Sequence, residues 1–161
     1  MTTIVSGLAF PEGPRWWHGA LYFSDIHSQQ VLRWSPDEGL RVLAHIPGRP
    51  SGIGFLNDRT LLVSSQDDRT VMRVDLVDPS TAPRVHADLS GLATWHLNDL
   101  ITDDSGRAYV GNYGSGAPPG EPITPAVLIL VETDGTVRAV AEDLYFPNGM
   151  ALRAGGSELV V

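Results

Sequence analysis

The feature that most constrains how this chain folds is an internal repeat with a period of roughly 40–50 residues. Each unit opens with a short step that contains Gly or Asp, continues through an apolar segment and a turn, and then reaches a second strand. The openings read FPEGPRWW, RPSGIGF, HLNDL and FPNGMAL, and the second strands read ALYFSD, TLLVSS, RAYVGN and ELVV. Third and fourth strands follow in QVLRW and RVLAHIP, and again in TVMRVD and RVHADLS. Four strands at this period are typical of a β-propeller blade.

The turns between these segments favour the same all-β interpretation. Residues that tolerate tight turns separate the strand candidates at positions 17–19, 57–58, 103–106, 134–135 and 154–156. No segment shows a sustained 3.6-residue period with helix caps, so a solenoid of helix pairs is not favoured. We therefore predict a partial β-propeller of about three and a half four-stranded blades, in a single incomplete domain over residues 1–161.

Composition and charge exclude several classes of function. The formal net charge is −8, and all 11 basic residues are Arg with no basic stripe, so nucleic acid is not an expected partner. The chain contains no cysteine, which excludes disulfides, zinc fingers and thiol catalysis. No stretch approaches the roughly 20 apolar residues that span a bilayer, and the N-terminus lacks the pattern of a signal peptide. We therefore expect no membrane partner and a cytoplasmic location.

One position recurs in phase through the repeat. Glu12, Ser51, Asn98 and Asn148 each open the first strand of a unit, and in a propeller these strands surround the central channel. Carboxylate and amide oxygens that converge on one channel mouth suit a hard cation such as Ca²⁺, and Mg²⁺ or Mn²⁺ also fit. Asp99 is a second carboxylate candidate, although alternation along a strand points it away from the side of Asn98. Each position alone is an ordinary turn residue, and only the recurrence favours a metal site.

Taken together in this order, the motifs resemble the family of senescence marker protein 30, gluconolactonase and luciferin-regenerating enzyme. The resemblance rests on FPEGPRW, PSGIGF, HLNDL with the following DSGRAYVGN, and FPNGMAL, and it extends over the chain from about Gly7. It implies a six-bladed β-propeller that holds a divalent metal in its channel. The implied metal is most often Ca²⁺, with Mn²⁺, Mg²⁺ and Zn²⁺ as alternatives.

The resemblance also implies roles for particular residues. Glu12 of the PEGP motif and Asn148 of the FPNG motif are metal ligands. Asn98 of the ND step lies by the metal, where it is a third metal ligand, contacts metal-bound water or substrate, and belongs to the catalytic group. Two residues before this Asn many family members carry a substrate-binding Arg, whereas this chain has His96. An imidazole and a guanidinium make different contacts, so this departure leaves the substrate open.

Further candidates surround the predicted channel mouth. Of the five His residues, His96 is the one on the channel motif, and we predict that it takes part in substrate binding and catalysis. Trp95 offers a flat surface for a sugar or lactone ring, with core packing as its alternative role. The Gly- and Pro-rich segment 111–125 is long enough to form either a lid over the pocket or a plain surface loop.

The family's remaining metal ligand is an Asp in a later blade, which is also proposed as the general base. The chain stops at Val161, inside the second strand of its fourth unit, and this number of blades cannot close a six-bladed ring. We therefore expect the chain to be the N-terminal part of a longer propeller. Its missing C-terminal blades would be its partners and would supply that Asp, and the truncated chain itself is expected to be inactive.

These observations predict a divalent-metal-dependent hydrolase that opens a lactone, and the resemblance implies a sugar-acid lactone. The metal would polarise the lactone carbonyl, stabilise the developing oxyanion and activate the attacking water. The alternative is a non-catalytic propeller that binds calcium or a protein partner, because propellers host many functions. A half-propeller that closes its ring with a second copy is less favoured, since the repeat lengths are unequal.

Overall fold

The computed structural model describes residues 2–116, 120 and 122–161, and these residues form fourteen β-strands. The strands of the first two repeat units are β1 (Pro11–Trp17), β2 (Ala20–Asp25), β3 (Gln30–Ser35), β4 (Gly39–His45), β5 (Pro50–Asn57), β6 (Thr60–Ser65), β7 (Thr70–Asp75) and β8 (Arg84–Asp88). The strands that follow are β9 (Leu97–Thr102), β10 (Ala108–Asn112), β11 (Ala126–Val131), β12 (Val137–Leu144), β13 (Ala151–Arg153) and β14 (Glu158–Val160). Among the described residues, no helix is long and apolar enough to cross a membrane.

The strands pair antiparallel with their neighbours in sequence and form separate sheets. Strands β1–β4, β5–β8 and β9–β12 make three four-stranded sheets, and β13 pairs with β14 alone. We call these sheets the first, second, third and fourth blades. The architecture is that of a partial β-propeller, which confirms the predicted fold class and the predicted second strand of each repeat unit.

The first hairpin shows how the sequence sets a turn. His18 has φ of 45° and Gly19 has φ of 75°, the left-handed backbone that a type I′ turn requires at both central residues. This turn matches the twist of the flanking strands and fixes Trp17 opposite Ala20. The register of β1 against β2 therefore follows from two residues.

The apolar core lies between blades, so the second blade is buried on both faces. Leu61 and Leu62 are neighbours on β6 and point to opposite faces, yet neither is exposed to solvent. Leu61 packs with residues of the first blade and Leu62 with residues of the third. Burying a side chain of this size contributes about 1.5–3 kcal/mol, which explains the continuous apolar run in TLLVSS.

The paired tryptophans at the end of β1 point to opposite sides of the strand. Trp17 stacks on Phe55 of the second blade, with ring centroids 4.6 Å apart and ring planes inclined by 16°. Trp16 points the other way and is 61% exposed. One of the two rings therefore packs between blades, as strand alternation requires.

We call the four matching positions of the repeat, Glu12, Ser51, Asn98 and Asn148, the ring positions. The innermost strand of each four-stranded blade carries a β-bulge close to its ring position. In the second blade Pro50 pairs with Ser65 and Ile53 pairs with Val63, so β5 has one residue more than β6 over this stretch. Equivalent shifts occur in β1 between Glu12 and Arg15 and in β9 between Leu97 and Leu100. A bulge interrupts strict alternation and re-aims side chains. The ring positions inferred from the repeat therefore lie where the strands are irregular.

A serine on the second strand ties each of the first two blades to the next. Ser24 Oγ donates to the carbonyl oxygen of Ser51 at 2.5 Å, and Ser64 Oγ donates to the carbonyl oxygen of Asn98 at 2.7 Å. Both serines are fully buried. These bonds fix the backbone at the ring positions of the second and third blades.

The third blade makes this connection differently. Its equivalent position is Gly111, where a Cβ atom would lie 2.4 Å from the carbonyl oxygen of Pro147. No side chain fits there, and the Asn98 side-chain amide donates to the same carbonyl at 3.1 Å instead. Glycine at this position therefore lets the fourth blade approach, and Asn98 ties it to the third.

We expect Ser64→Ala to lower the free energy of unfolding by about 1–2 kcal/mol. The substitution leaves the buried carbonyl of Asn98 without its hydroxyl donor, and an unsatisfied buried acceptor costs about this much. Chemical denaturation measures the effect. The control Ser6→Ala changes an exposed serine and should leave the midpoint unchanged, and equal midpoints for both variants would show that the inter-blade bond does not stabilise the fold.

Candidate functional site

The first, third and fourth blades meet around an open cleft of about 450 Å³. Glu12, Arg15, Asp99 and Asn148 provide its polar lining. These residues come from β1, from β9 and from the segment before β13, so the inner strands face one space around the propeller axis. The structure therefore brings the predicted residues Glu12 and Asn148 into one cleft.

The side-chain oxygens of Glu12 and Asn148 have no hydrogen-bond or ion-pair partner among the described residues. The Glu12 backbone carbonyl oxygen lies 3.2 Å from Ser24 Oγ, but the Glu12 carboxylate has no such neighbour. Glu12 is half-buried and Asn148 is exposed in the described chain. A half-buried carboxylate that the protein leaves unpaired is the kind of group that a cation would satisfy.

Asn98 lies beside this cleft and is buried, with 6% of its surface exposed. Its amide nitrogen is fixed by the bond to Pro147, which leaves its side-chain oxygen as the free half of the group. No described residue donates to that oxygen. Ser51, the remaining ring position, is 2% exposed and does not line the cleft.

Asp99 reaches the cleft as well, although strand alternation predicts that it points away. The bulge places both Asn98 and Asp99 opposite one position of β10, so regular alternation does not hold here. Arg15 Nη2 lies 3.3 Å from Asp99 Oδ1 and donates to the carbonyl oxygen of Leu100 at 2.6 Å. Arg15 thus joins the first blade to the third across the cleft. The Asp99 carboxylate is engaged by the protein, whereas the Glu12 carboxylate is not.

Burial raises the pKa of the Asp99 carboxyl, and the guanidinium of Arg15 opposes this rise without cancelling it. The folded-state pKa therefore lies above the unfolded value of 3.8. Folded protein keeps the proton at pH values where the unfolded chain has lost it. The contribution of Asp99 to stability is accordingly present below the unfolded pKa and is lost as pH rises through the folded pKa.

We expect the pKa of the Asp99 carboxyl to lie above its usual value and the pKa of the Asp25 carboxyl to lie below it. Burial also acts to raise the pKa of Asp25, but the N–H groups of Ala9 and Phe10 and the hydroxyl of Ser28 donate to its carboxylate and bring the pKa below 3.8. Carbon-13 chemical shifts of the two carboxyls, followed from pH 2 to pH 8, measure both values. An Asp99 that titrates below Asp25 would contradict this account of the cleft.

A second cluster of polar side chains forms around the residues that lie two positions before the ring positions. The residues at these earlier positions are Phe10, Arg49 and His96. Their backbone carbonyls each accept a hydrogen bond from a backbone N–H in the loop after the second strand of the same blade, and the donors are Ile26, Gln66 and Tyr113 respectively. The positions are therefore structurally equivalent, and in the second and third blades they hold Arg49 and His96. Arg49 pairs with Asp67, and His96 Nδ1 lies 3.1 Å from the same carboxylate. We call Arg49, Asp67 and His96 the rim triad.

Aromatic rings flank the rim triad. Trp95 lies 4.7 Å from His96 and Tyr113 lies 5.8 Å from it, measured between ring centroids, and Phe146 lies 4.5 Å from Tyr113. Trp95 is 42% exposed, so the structure places it at the surface rather than in the core.

The first two residues of segment 111–125 belong to β10, and the rest of the segment leads to β11. Gly116 of this segment lies against the ring of Trp95. Residues 117–119 and 121 lie outside the described residues. The choice between a lid and a surface loop therefore stays a prediction.

Sequence reasoning named His96 and Trp95 as candidates but did not name their neighbours Arg49 and Asp67. A signal for Arg49 exists, because it precedes Ser51 by two residues just as His96 precedes Asn98. Asp67 lies in a turn of ordinary composition, and nothing in the sequence distinguishes it from its neighbour Asp68. Only the fold brings it against the imidazole of the next blade.

The donor set of the cleft decides which metal it suits. In the described residues no three His, Cys, Asp or Glu side chains come together as a metal site. The free groups are one carboxylate and two amide oxygens, from Glu12, Asn98 and Asn148. All are hard oxygen donors, which fit Ca²⁺ and its relatives rather than a thiolate- or imidazole-bound ion.

The four-stranded blades define this protein as a β-propeller. Polar residues from matching positions of its repeat units lie around the propeller axis and form a candidate site at the mouth of the channel. The family model described as SMP-30/gluconolactonase/LRE-like region matches residues 10–161. The chain belongs to this family, which confirms the resemblance drawn from its motifs.

Individual relatives agree with this assignment. The chain is 29% identical over 141 residues to pentonolactonase XacC of Haloferax volcanii, covering 86% of this chain and 44% of the relative. A gluconolactonase structure from Xanthomonas campestris superposes with a TM-score of 0.74 at 25% identity, covering 94% of this chain and 54% of that one. The calcium-binding protein regucalcin from Agrobacterium tumefaciens gives a TM-score of 0.74 at 22% identity, covering 94% and 50%. The chain thus spans about half the length of the proteins it matches.

Proposed function

We propose that the intact protein is a divalent-metal-dependent hydrolase that opens a lactone ring, with a sugar-acid lactone as its substrate class. The observation that carries the proposal is the set of free oxygens on Glu12, Asn148 and Asn98, which lie in or beside one cleft on the propeller axis. Family membership and the similarity to a pentonolactonase and a gluconolactonase support the choice of reaction.

In this proposal Glu12 and Asn148 hold the metal, and the Asn98 oxygen is a further donor or a contact to water. Ca²⁺ is the preferred ion because the donors are hard and neutral amides outnumber carboxylates, and the calcium-binding neighbour supports this choice. When bound, a divalent ion supplies Lewis acidity that polarises a lactone carbonyl and lowers the pKa of water. A further Asp from a later blade, implied by the family resemblance, is part of the proposal.

The protein's own residues have defined tasks in the reaction. Water adds to the carbonyl carbon, the ring C–O bond breaks, and the ring oxygen takes up a proton, which yields a hydroxy acid. Asn98, fixed through its amide by Pro147, would hold the water through its free oxygen. His96 would line the substrate pocket, with its two ring nitrogens directed at Asp67 and Arg49, and its part in catalysis stays a prediction. Trp95 would provide the flat wall of that pocket.

Lactone hydrolysis by the intact protein tests the proposal. D-Glucono-1,5-lactone and a small panel of sugar and alkyl lactones are assayed by acid release, after EDTA treatment and again with added Ca²⁺, Mn²⁺ or Zn²⁺. We expect hydrolysis that EDTA abolishes and an added metal restores. Tight metal binding without turnover of any lactone would reject the enzyme and leave a metal-binding propeller.

A further inference from the structure

The rim triad contains an arginine whose orientation is fixed. Arg49 Nε donates to Asp67 Oδ2 at 2.8 Å, and Nη2 donates to Oδ1 at 2.5 Å. Two parallel bonds of this kind fix the plane of a guanidinium relative to a carboxylate. The hydrogen bond from Arg49 also lowers the pKa of Asp67, so the pair is fully ionised at neutral pH.

His96 fixes the pair from the neighbouring blade. Its Nδ1 lies 3.1 Å from Asp67 Oδ1, and its Nε2 lies 3.5 Å from Arg49 Nη2. The neutral tautomer with its proton on Nδ1 satisfies both contacts, since Nδ1 then donates to the carboxylate and Nε2 faces a donor. Three side chains from two blades thus hold one another in a closed arrangement.

The triad still offers hydrogen bonds to a ligand. Arg49 Nη1 has no partner among the described residues, and the side chains of Arg49 and Asp67 are 33% and 40% exposed. Two N–H donors of Arg49 and free lone pairs of the Asp67 carboxylate are therefore both available to a ligand at a partly exposed surface. The pair has no net charge, which favours a neutral ligand that both donates and accepts over an anion. Neighbouring hydroxyl groups on one molecule have this chemistry.

The surroundings of the triad suit a hydroxylated ring. Trp95 and Tyr113 lie against His96, and aromatic faces pack well on the apolar side of a ring whose edge carries polar groups. Arg49 and His96 directly precede the inner strands β5 and β9, so the triad lies at the strand ends that carry the ring positions Ser51 and Asn98.

We infer that Arg49 and Asp67 are the specificity-determining residues of this site and bind adjacent hydroxyl groups of the substrate, with His96 as the residue that positions them. Arg49 Nη1 donates to one hydroxyl oxygen, and Asp67 accepts from the neighbouring hydroxyl. The inference rests on the proposed function for the reaction itself, but the binding of hydroxyl groups has a test of its own.

The first test compares two lactones with the same six-membered ring. D-Glucono-1,5-lactone carries hydroxyl groups and δ-valerolactone carries none. In the intact protein, Arg49→Met and Asp67→Asn should each lower kcat/KM for gluconolactone about 10–100-fold, the cost of one charged hydrogen bond, and should leave δ-valerolactone within about twofold. The matched control Arg84→Met changes an exposed arginine and should affect neither substrate. Equal losses on both lactones, or no loss on either, would overturn the inference.

The second test does not require turnover. Calorimetric titration compares D-gluconate with hexanoate, which has the same chain length and carboxylate but no hydroxyl groups. The intact protein should bind gluconate more tightly, and Arg49→Met should remove most of that difference while the melting temperature stays the same. Equal affinity of the unmodified protein for both acids would overturn the inference. A protein that passes this test but hydrolyses no lactone would reject only the proposed function.

Discussion

Glu12→Gln is expected to abolish metal binding and to lower lactone hydrolysis by the intact protein at least about 100-fold. Gln preserves the shape of the side chain and removes its charge. Glu12 is the free carboxylate among the described residues of the cleft, because Arg15 and the Leu100 amide engage Asp99. Without that charge the remaining described donors are neutral amides, which bind a hard divalent cation weakly.

Calcium titration by calorimetry and kcat/KM for gluconolactone measure the two effects of Glu12→Gln. Glu142→Gln, the same substitution at an exposed position on β12, is the matched control and should behave like the unmodified protein. The metal-free melting temperature of the Glu12 variant should change little, since the protein makes no bond to this carboxylate. Full activity and full calcium affinity in Glu12→Gln would show that the cleft is not the metal site.

Gly52→Ala is expected to lower the free energy of unfolding by about 3 kcal/mol or more. A Cβ atom at this position would lie 1.9 Å from the backbone nitrogen of Leu100 and 2.6 Å from the Cα atom of Asp99. Both obstacles are backbone atoms of the next inner strand, so no side-chain rotation relieves the clash. The second and third blades would have to separate at their closest approach.

Thermal and chemical unfolding of Gly52→Ala measure this cost. Gly91→Ala is the control, because a Cβ atom there meets nothing within 4 Å and the change should stay within about 1 kcal/mol. The Gly52 variant should also lose activity, since Asp99 and Asn98 lie on the strand that is displaced. A variant as stable as Gly91→Ala would mean that the inner strands do not pack as closely as described.

The fold was largely predictable because its signals are local and repeated. The apolar run of TLLVSS predicted β6, and the turn chemistry around Gly19 predicted the first hairpin. The repeat then aligned Glu12 with Asn148, and the structure places both in one cleft. Repeat units of the sequence are related in the fold by rotation about the propeller axis. Residues at matching positions of different units therefore lie near one another at the axis, although they are distant in sequence.

The parts of the site that sequence reasoning missed depend on contacts between blades. Strand alternation placed Asp99 away from the cleft, and the bulge in β9 brings it in beside Arg15. Arg49 and Asp67 were not recognised, because their pairing with His96 joins two blades across 47 residues of sequence. The two-residue offset of Arg49 from Ser51 is visible in the sequence, but neither the bulge nor the contact of Asp67 with the next blade has a signature in one chain's residue pattern.

Locating a metal ion in crystals of the intact protein grown with Mn²⁺ is the most direct test of the central claim. Manganese scatters anomalously and replaces calcium at oxygen sites, so its position is measured independently of activity. We expect an anomalous peak on the propeller axis within about 2.6 Å of the Glu12 and Asn148 side-chain oxygens. An ion bound elsewhere, or a cleft without an anomalous peak at a manganese concentration that supports hydrolysis, would contradict it.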